Sequence, residues 1–327
     1  MSNILLVHPD FEQVWPYTAD RLHQLLQRLG EVQLIRLPQE STALLSEVIP
    51  HPEDVTRLVS LAVPVTTGCM DKFTNLQETF ISTRPYASDR PQEVIDLLKE
   101  RGVRVYNQPS EGYWGQSVSE FGLALTLCAL RRIPQTHHEM ITSQQPWCHP
   151  LEQFGDDPRF VNGTVAGKRV RIVGAGNIAS RYASFVSMLG ADVAAWDPFA
   201  PEPAFHRAGS RKEWYLERLV QDADIFVPMV PLTESTKGLI TAEHIGMLPK
   251  GCIVVLATRA EICDMQELRR RVLADEISLA ADVFDVEPLS LDDPLLGRHN
   301  VVHTPHNAGR TKEANYKWAE MLAEQFK

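Results

Sequence analysis

Apolar positions recur along this chain in two rhythms, a short strand-like run and a helical period, and the two take turns. NILLV (3–7) reads as a strand. A helical pattern follows from about 18 to 29, with Leu22, Leu25, Leu26 and Leu29 on one face and Gly30 as its stop. EVQLIRL (31–37) is the next strand, the stretch up to 75 is less regular, and TFIS (79–82) is strand-like again. PQEVIDLLKERG (91–102) predicts a short helix ended by glycine, and VRVYN (103–107) another strand. Residues 113–145 carry one long helical pattern, apolar on nearly every side over SVSEFGLALTLCALRR (117–132), as suits a helix buried at a domain junction. PWCHPLEQFGDDPRFVNGT (146–164) has no clear period and is read as a surface loop.

The alternation is clearer beyond that loop. KRVRIVG (168–174), DVAAWD (192–197), DIFVPMV (224–230), GCIVVLAT (251–258), ISLAADVF (277–284) and NVVHT (300–304) are strands. Between them IASRYASFVSMLG, WYLERLVQDA and TAEHIGML are helical, and Asp264 with Glu267 forms a capping box for a helix from Asp264 to Ala274. Such alternation defines an α/β fold with largely parallel sheets. At 327 residues the chain exceeds what one hydrophobic core serves, so two domains are expected.

Composition narrows the partners. An apolar share of 44% is that of an ordinary globular protein, and a formal charge of -10 works against nucleic acid and anionic membrane surfaces. No run approaches the roughly 18 apolar residues of a membrane span. The five cysteines, Cys69, Cys128, Cys148, Cys252 and Cys263, are widely spaced and form no CxxC, which fits reduced thiols and a cytoplasmic location. Metal-ligand spacing such as HExxH is missing, and His137–His138 has no partner three or four residues away, so no metal is expected.

VRIVGAGNIASRYASFVSMLGADVAAWD has the layout of a dinucleotide-binding βαβ unit. Gly174 allows the tight turn off the strand, and at Gly176 a side chain would obstruct a pyrophosphate that the helix N-terminus favours. Ala179 takes the third small position, and Asp197, 23 residues after Gly174, is placed to accept hydrogen bonds from the adenosine ribose. Its carboxylate would repel a 2'-phosphate, and Pro198 and Phe199 follow it rather than arginine, so NAD is expected over NADP. Ligands of open α/β sheets bind beyond the carboxyl ends of the strands. Arg259, Glu287 and His306 all arise at strand ends of this domain, and an arginine there can hold a carboxylate in two-pronged fashion. His303, inside its strand segment, is read as structural.

The segments VGAGNIA (173–179), PMVPLTESTKGLI (228–240), LATRAEICDMQEL (256–268), AADVFDVEPL (280–289) and NVVHTPHNAG (300–309), in this order and with VSEFGLALTLCALRRI (118–133), resemble the D-isomer-specific 2-hydroxyacid dehydrogenases. The resemblance implies two Rossmann-like domains with parallel sheets, the nucleotide domain inserted into a flavodoxin-like substrate domain. Its bounds would be 1–112 for the substrate domain, 113–304 for the NAD-binding domain and 305–327 for a C-terminal helix returning to the first, with the active site in the cleft between them. It implies that Arg259 holds the substrate carboxylate, His306 is the acid/base, and Glu287 orients the His306 ring and favours its protonated form. Around the NAD cofactor it points to Gly174, Gly176, Asn177, Ile178, Asp197, Val230, Pro231, Ala257, Thr258, Asp282 and Gly309. The implied activity interconverts a small D-2-hydroxy acid and its 2-oxo acid, glyoxylate or hydroxypyruvate among them, in a homodimer. The alternative is a non-enzymatic, NAD(H)-sensing binding protein of the corepressor kind on the same fold.

Three departures from the family pattern stand out. Ala260 follows Arg259 where the family commonly has glycine, and Leu256 replaces a frequent asparagine. The family's glycine-containing carboxylate loop is replaced by TRPYASD (83–89), in which Pro85 lacks a backbone donor: either Ala87 takes the glycine's place and the loop is kept, or the pocket differs, with Arg84 and Tyr86 as substrate contacts or as supports of the fold. Tyr113 and Trp114 fall near the expected hinge, as cleft lining or as packing.

Overall fold

The computed structural model describes residues 2–85, 91–107, 113–147 and 157–326, and the chain forms two compact units, 1–114 with 310–327, and 115–309. The first unit holds five parallel strands: β1 (Ser2–Val7), β2 (Val32–Arg36), β3 (Val55–Leu61), β4 (Glu78–Ile81) and β5 (Arg104–Val105). Their order, β2-β1-β3-β4-β5, is that of the flavodoxin-like doubly wound sheet. The central β3 lies in the stretch that pattern reading left unassigned. Its two faces enter different cores, Val59 and Leu61 with Leu5 and Phe80, and Leu58 with Ile4, Leu6 and Ile81. A strand buried on both faces has no polar face to alternate with, and Arg57 and Ser60 interrupt the apolar run that replaces alternation.

The helix Lys312–Ala323 belongs to this unit. Trp318 and Leu322 are buried in the same core as Phe11, Trp15 and Leu22, with the Trp318 ring edge-on to Phe11 and Phe80. Polar bonds fix the pairing with helix Thr18–Leu26: the Thr18 hydroxyl donates to Asn315 Oδ1 (3.1 Å), and Arg21 meets Glu320 at 2.6 Å.

The second unit holds seven parallel strands: β6 (Arg169–Val173), β7 (Asp192–Trp196), β8 (Arg211–Lys212), β9 (Ile225–Pro228), β10 (Ile253–Leu256), β11 (Ser278–Ala281) and β12 (Val301–His303). In the order β12-β11-β10-β9-β6-β7-β8 the winding reverses between β6 and β9, the switch point at which such sheets take their ligands. Both the short edge strand β8 and the helix Glu202–Arg207 before it escaped the pattern reading. At the opposite end of the sheet, Arg169 at the start of β6 donates to both oxygens of Asp224, and the buried Arg171 pairs with Asp192 and Asp222.

Two local expectations are corrected. The long helix over 113–145 is two helices, Gly115–Arg131 and Ile133–Thr142, because Arg132 turns left-handed (φ 52°) and Pro134, which cannot donate within a helix, opens the second. Only half of the capping box at Asp264 forms: Asp264 accepts from the Glu267 amide (2.9 Å), but the Glu267 carboxylate turns to Arg270. The two compact units divide at 114/115 and 309/310. Before the later division, the amides of Asn307 and Ala308 are tied to Asp282 within the second unit. Cys69, Cys128, Cys252 and Cys263 are free thiols, while Cys148 lies outside the described residues. Among the described residues no helix is long and apolar enough to cross a membrane, and no cluster of His, Cys, Asp or Glu could hold a metal ion.

Candidate active site

The turn after β6 is shaped by two glycines with different reasons to be there. Gly174 sits at φ +110°, and a Cβ on it would stand 2.7 Å from the Met229 carbonyl oxygen and 3.0 Å from Val230, so the fold itself requires glycine. Gly176 has an ordinary extended backbone (φ -74°, ψ -170°), and nothing lies within 4 Å of where its Cβ would be. The fold does not require glycine at 176; space kept clear at a helix N-terminus suits a ligand. Gly176 caps the helix Asn177–Met188 without any side-chain cap, which leaves first-turn amides available to an anion. Ala179 is buried against the sheet. Asp197, just past β7, ties the motif together: one carboxylate oxygen accepts from the Ala175 amide (2.9 Å), the other from Phe199 and Ala200 (2.9 and 3.1 Å). An open glycine turn, an uncapped helix start and a carboxylate at the next strand end fit a dinucleotide.

The other expected cofactor positions line the same edge of the sheet. Asn177 accepts from the Arg181 guanidinium (3.0 Å), and the Ile178 carbonyl accepts from Ser119 (3.1 Å). Val230 packs on the core and Pro231 is exposed, both just beyond β9. Ala257 is buried and Thr258 donates to the Pro228 carbonyl (3.3 Å), joining the ends of β10 and β9. Gly309 is half-buried at the end of the unit.

Three adjacent parallel strands, β10, β11 and β12, bring Arg259, Asp282 and His306 to one edge. Arg259 follows β10 and precedes a tight 3-10 turn, Ala260–Ile262; its Nη1 donates to the Thr258 carbonyl (2.7 Å). Ala260 and Leu256, the departures beside it, are both fully buried. Glu287 spans two partners: one oxygen accepts from the Phe284 amide (2.8 Å), the other meets His306 Nδ1 at 2.7 Å. The two side chains are 34% and 40% exposed, and the bond through Nδ1 leaves Nε2 as the other ring nitrogen. Among the described residues Arg259 makes no bond to either; two strand spacings of about 4.8 Å separate the backbones of β10 and β12. The structure thus joins Glu287 to His306 and sets Arg259 on the same edge.

His306 itself has a left-handed backbone (φ 51°), uncommon for a residue with a side chain and frequent at functional sites. His303 is exposed at the end of β12. What the residue pattern did not reveal is the work of Asp282. It is fully buried, and its carboxylate accepts from Thr304 Oγ1 (2.6 Å) and from the amides of Asn307 (3.0 Å) and Ala308 (2.8 Å). An acid in an otherwise apolar strand, AADVF, was the available signal: a buried carboxylate needs donors, and the nearby turn supplies them. In the first unit, Arg84 is exposed beyond β4, whereas Tyr86 and Ala87 lie outside the described residues. Tyr113 is buried edge-on to Trp15 and Trp114 stacks on Trp15 (5.5 Å), so both are packing residues of that unit.

Fold and motif together define a dinucleotide-binding α/β protein. Residues 123–308 match the family model described as D-isomer specific 2-hydroxyacid dehydrogenase, NAD binding domain. The chain belongs to that family, and its cofactor is NAD. The D-3-phosphoglycerate dehydrogenase of Methanocaldococcus jannaschii is 30% identical over 71% of this chain and 42% of its own length; the glyoxylate reductase of Aeropyrum pernix is 31% identical over 71% and 68%. Against the first of these and its counterpart in Bacillus subtilis (54%), the chain spans about half the relative's length. A D-isomer specific 2-hydroxyacid dehydrogenase of Lactobacillus delbrueckii, solved with NAD, has the same fold, with a TM-score of 0.74 at 19% identity, covering 99% of this chain and 96% of that one.

Proposed function

We propose that this chain is an NAD-dependent oxidoreductase that interconverts a D-2-hydroxy acid and its 2-oxo acid, with reduction of glyoxylate, hydroxypyruvate or a related 2-oxo acid as its reaction. The observation that carries this reading is the 2.7 Å bond between Glu287 and His306 Nδ1 on the sheet edge that also bears Arg259 and the glycine turn. When bound, the nicotinamide supplies or accepts the hydride at C2 of the acid. Arg259 releases the Thr258 carbonyl and takes the substrate carboxylate in a two-pronged grip, which also polarises the neighbouring carbonyl. His306 gives a proton from Nε2 to the carbonyl oxygen as it becomes a hydroxyl, and takes it back in the oxidation. Glu287, accepting from Nδ1, holds the ring in the orientation and tautomer that this transfer needs. Asp197 accepts from the ribose hydroxyls and disfavours a 2'-phosphate. Residues 1–114 with 310–327 serve as the substrate domain.

A panel of 2-oxo acids with NADH, followed by the loss of NADH absorbance, tests the reading. At least one acid turns over, and His306→Ala abolishes most of that rate while NADH still binds. NADH binding without turnover of any acid would replace the enzyme with a nucleotide-sensing protein. The functional form is read as a homodimer: helix Ile133–Thr142 buries none of its residues and exposes Ile133, Met140 and Ile141. Light scattering at working concentration decides this, twice the monomer mass being expected.

A further inference from the structure

We propose that Arg269 is a positioning residue, a bracket across the loop that carries Glu287, and that it acts on the reaction through the bond from that carboxylate to His306. The inference rests on the function proposed above.

Glu287 has little backbone to hold it. It lies in the chain between β11 and β12, and among the described residues none of 283–289 makes a backbone-to-backbone hydrogen bond. Val283 and Phe284 are buried at one end of this stretch and Leu295 at the other, while Val286 and Leu291 between them are exposed. Arg269 closes the stretch from outside it. Its helix, Met265–Leu273, is seated in the core by Leu268 and Val272, both fully buried, which makes a firm base. From there Nε and Nη2 donate to Asp285 Oδ1 (3.1 and 2.9 Å), and Nη1 donates to both oxygens of Asp293 (3.1 and 3.0 Å). Asp285 stands two positions before Glu287 and Asp293 six after it. Asp293 also accepts from the Leu295 amide (2.9 Å), so the bracket is tied to the buried end of the loop. The Arg269 side chain is 18% exposed, and its bonds are less screened than those of an open surface pair. A bridge that only stiffened the helix would run along it, as the one from Arg270 to Glu267 does. Arg269 spends all three nitrogens on the two flanks of Glu287 instead, and its planar fork sets their spacing as a lysine could not. Between those flanks Glu287 reaches the Phe284 amide with one oxygen (2.8 Å) and His306 Nδ1 with the other (2.7 Å).

Arg269→Gln removes the fork. The expected result is a fall of about fivefold in kcat/KM for the 2-oxo acid, with the NADH dissociation constant within about twofold of the parent. In a Glu287→Ala background the same change should cost less than about twofold, because the carboxylate it positions is gone. Arg269→Lys, which keeps the charge and guards against a misfolded glutamine variant, should lose about threefold, since one ammonium cannot grip both carboxylates as the fork does. A readout independent of turnover is the rate at which diethyl pyrocarbonate modifies His306, followed by peptide mass. It should rise at least about twofold in both variants, because a ring released from Glu287 offers Nδ1 as well as Nε2. An unchanged kcat/KM in Arg269→Gln, whatever its resistance to urea, would make the bridge purely structural and overturn the proposal. So would an equal loss of rate with and without the Glu287 carboxylate, or an unchanged modification rate. A parent protein that binds NADH yet reduces no 2-oxo acid would instead defeat the proposed function, leaving the modification rates to decide the bracket.

Discussion

Two alanine substitutions, two residues apart in the chain, should separate what the fold needs from what the cofactor needs. Gly174→Ala places a Cβ 2.7 Å from the Met229 carbonyl oxygen on a backbone at φ +110°. The left-handed strain alone costs roughly 1–3 kcal/mol, and the clash adds to it. Gly176→Ala places its Cβ in open space on a backbone at φ -74° that any residue adopts. Alanine gains about 0.4–1 kcal/mol over glycine by restricting the unfolded chain and loses a similar amount as a poorer helix cap, so folding stability should move by less than about 1 kcal/mol. The same Cβ occupies the space where a pyrophosphate would approach the helix start. The NADH dissociation constant should therefore rise at least about tenfold, or 1.4 kcal/mol. Urea unfolding and titration of NADH fluorescence measure the two quantities on the same samples. NADH affinity within about twofold of the parent in Gly176→Ala, at full stability, would refute the argument that the glycine is kept for the ligand.

Other consequences can be checked as simply. Glu287→Gln removes the charge from a bond between side chains 34% and 40% exposed, where solvent screening limits its worth. A loss of about 1–2 kcal/mol, or five- to thirtyfold in kcat/KM, is expected with NADH affinity unchanged, read by steady-state kinetics. Acid sensitivity should trace in part to Asp224, whose burial pushes its carboxyl up but is outweighed by the bonds from Arg169, so that the group lies below its ordinary value. A depressed folded value means stability that is present above the unfolded value and lost as pH falls through the folded one. Below about pH 4 the parent should lose urea resistance faster than Asp224→Asn, measured as the midpoint against pH.

Much of this was legible in the residues because parallel α/β units write their strands as apolar runs and their ligand sites at strand ends. β6, β7, β9, β10 and β11 all fall within the runs read as strands, and the loops after them carry Gly174, Asp197, Val230, Arg259 and Asp282. β3 was not legible, since burial on both faces removes the period on which strand reading depends and Arg57 and Ser60 break what remains. The break at Arg132 was signalled by Pro134 but masked by the apolar pattern continuing across it. The pairing of Glu287 with His306 came from family likeness, because they lie nineteen positions apart across loop and strand and no local pattern specifies the bond. The three bonds to Asp282 are the same kind of fact: partners supplied by folding, invisible to spacing.

The return of the last helix to the first unit has a bearing on how the protein is born. Residues 115–309 are one uninterrupted segment and can close their sheet as soon as they leave the ribosome. Residues 1–114 hold every strand of theirs, but the layer over Phe11, Trp15 and Phe80 stays unsealed until Trp318 and Leu322 have followed residue 309. Of the two units, the one begun earlier is thus completed later, and during translation its unsealed apolar layer stays exposed while the other unit folds.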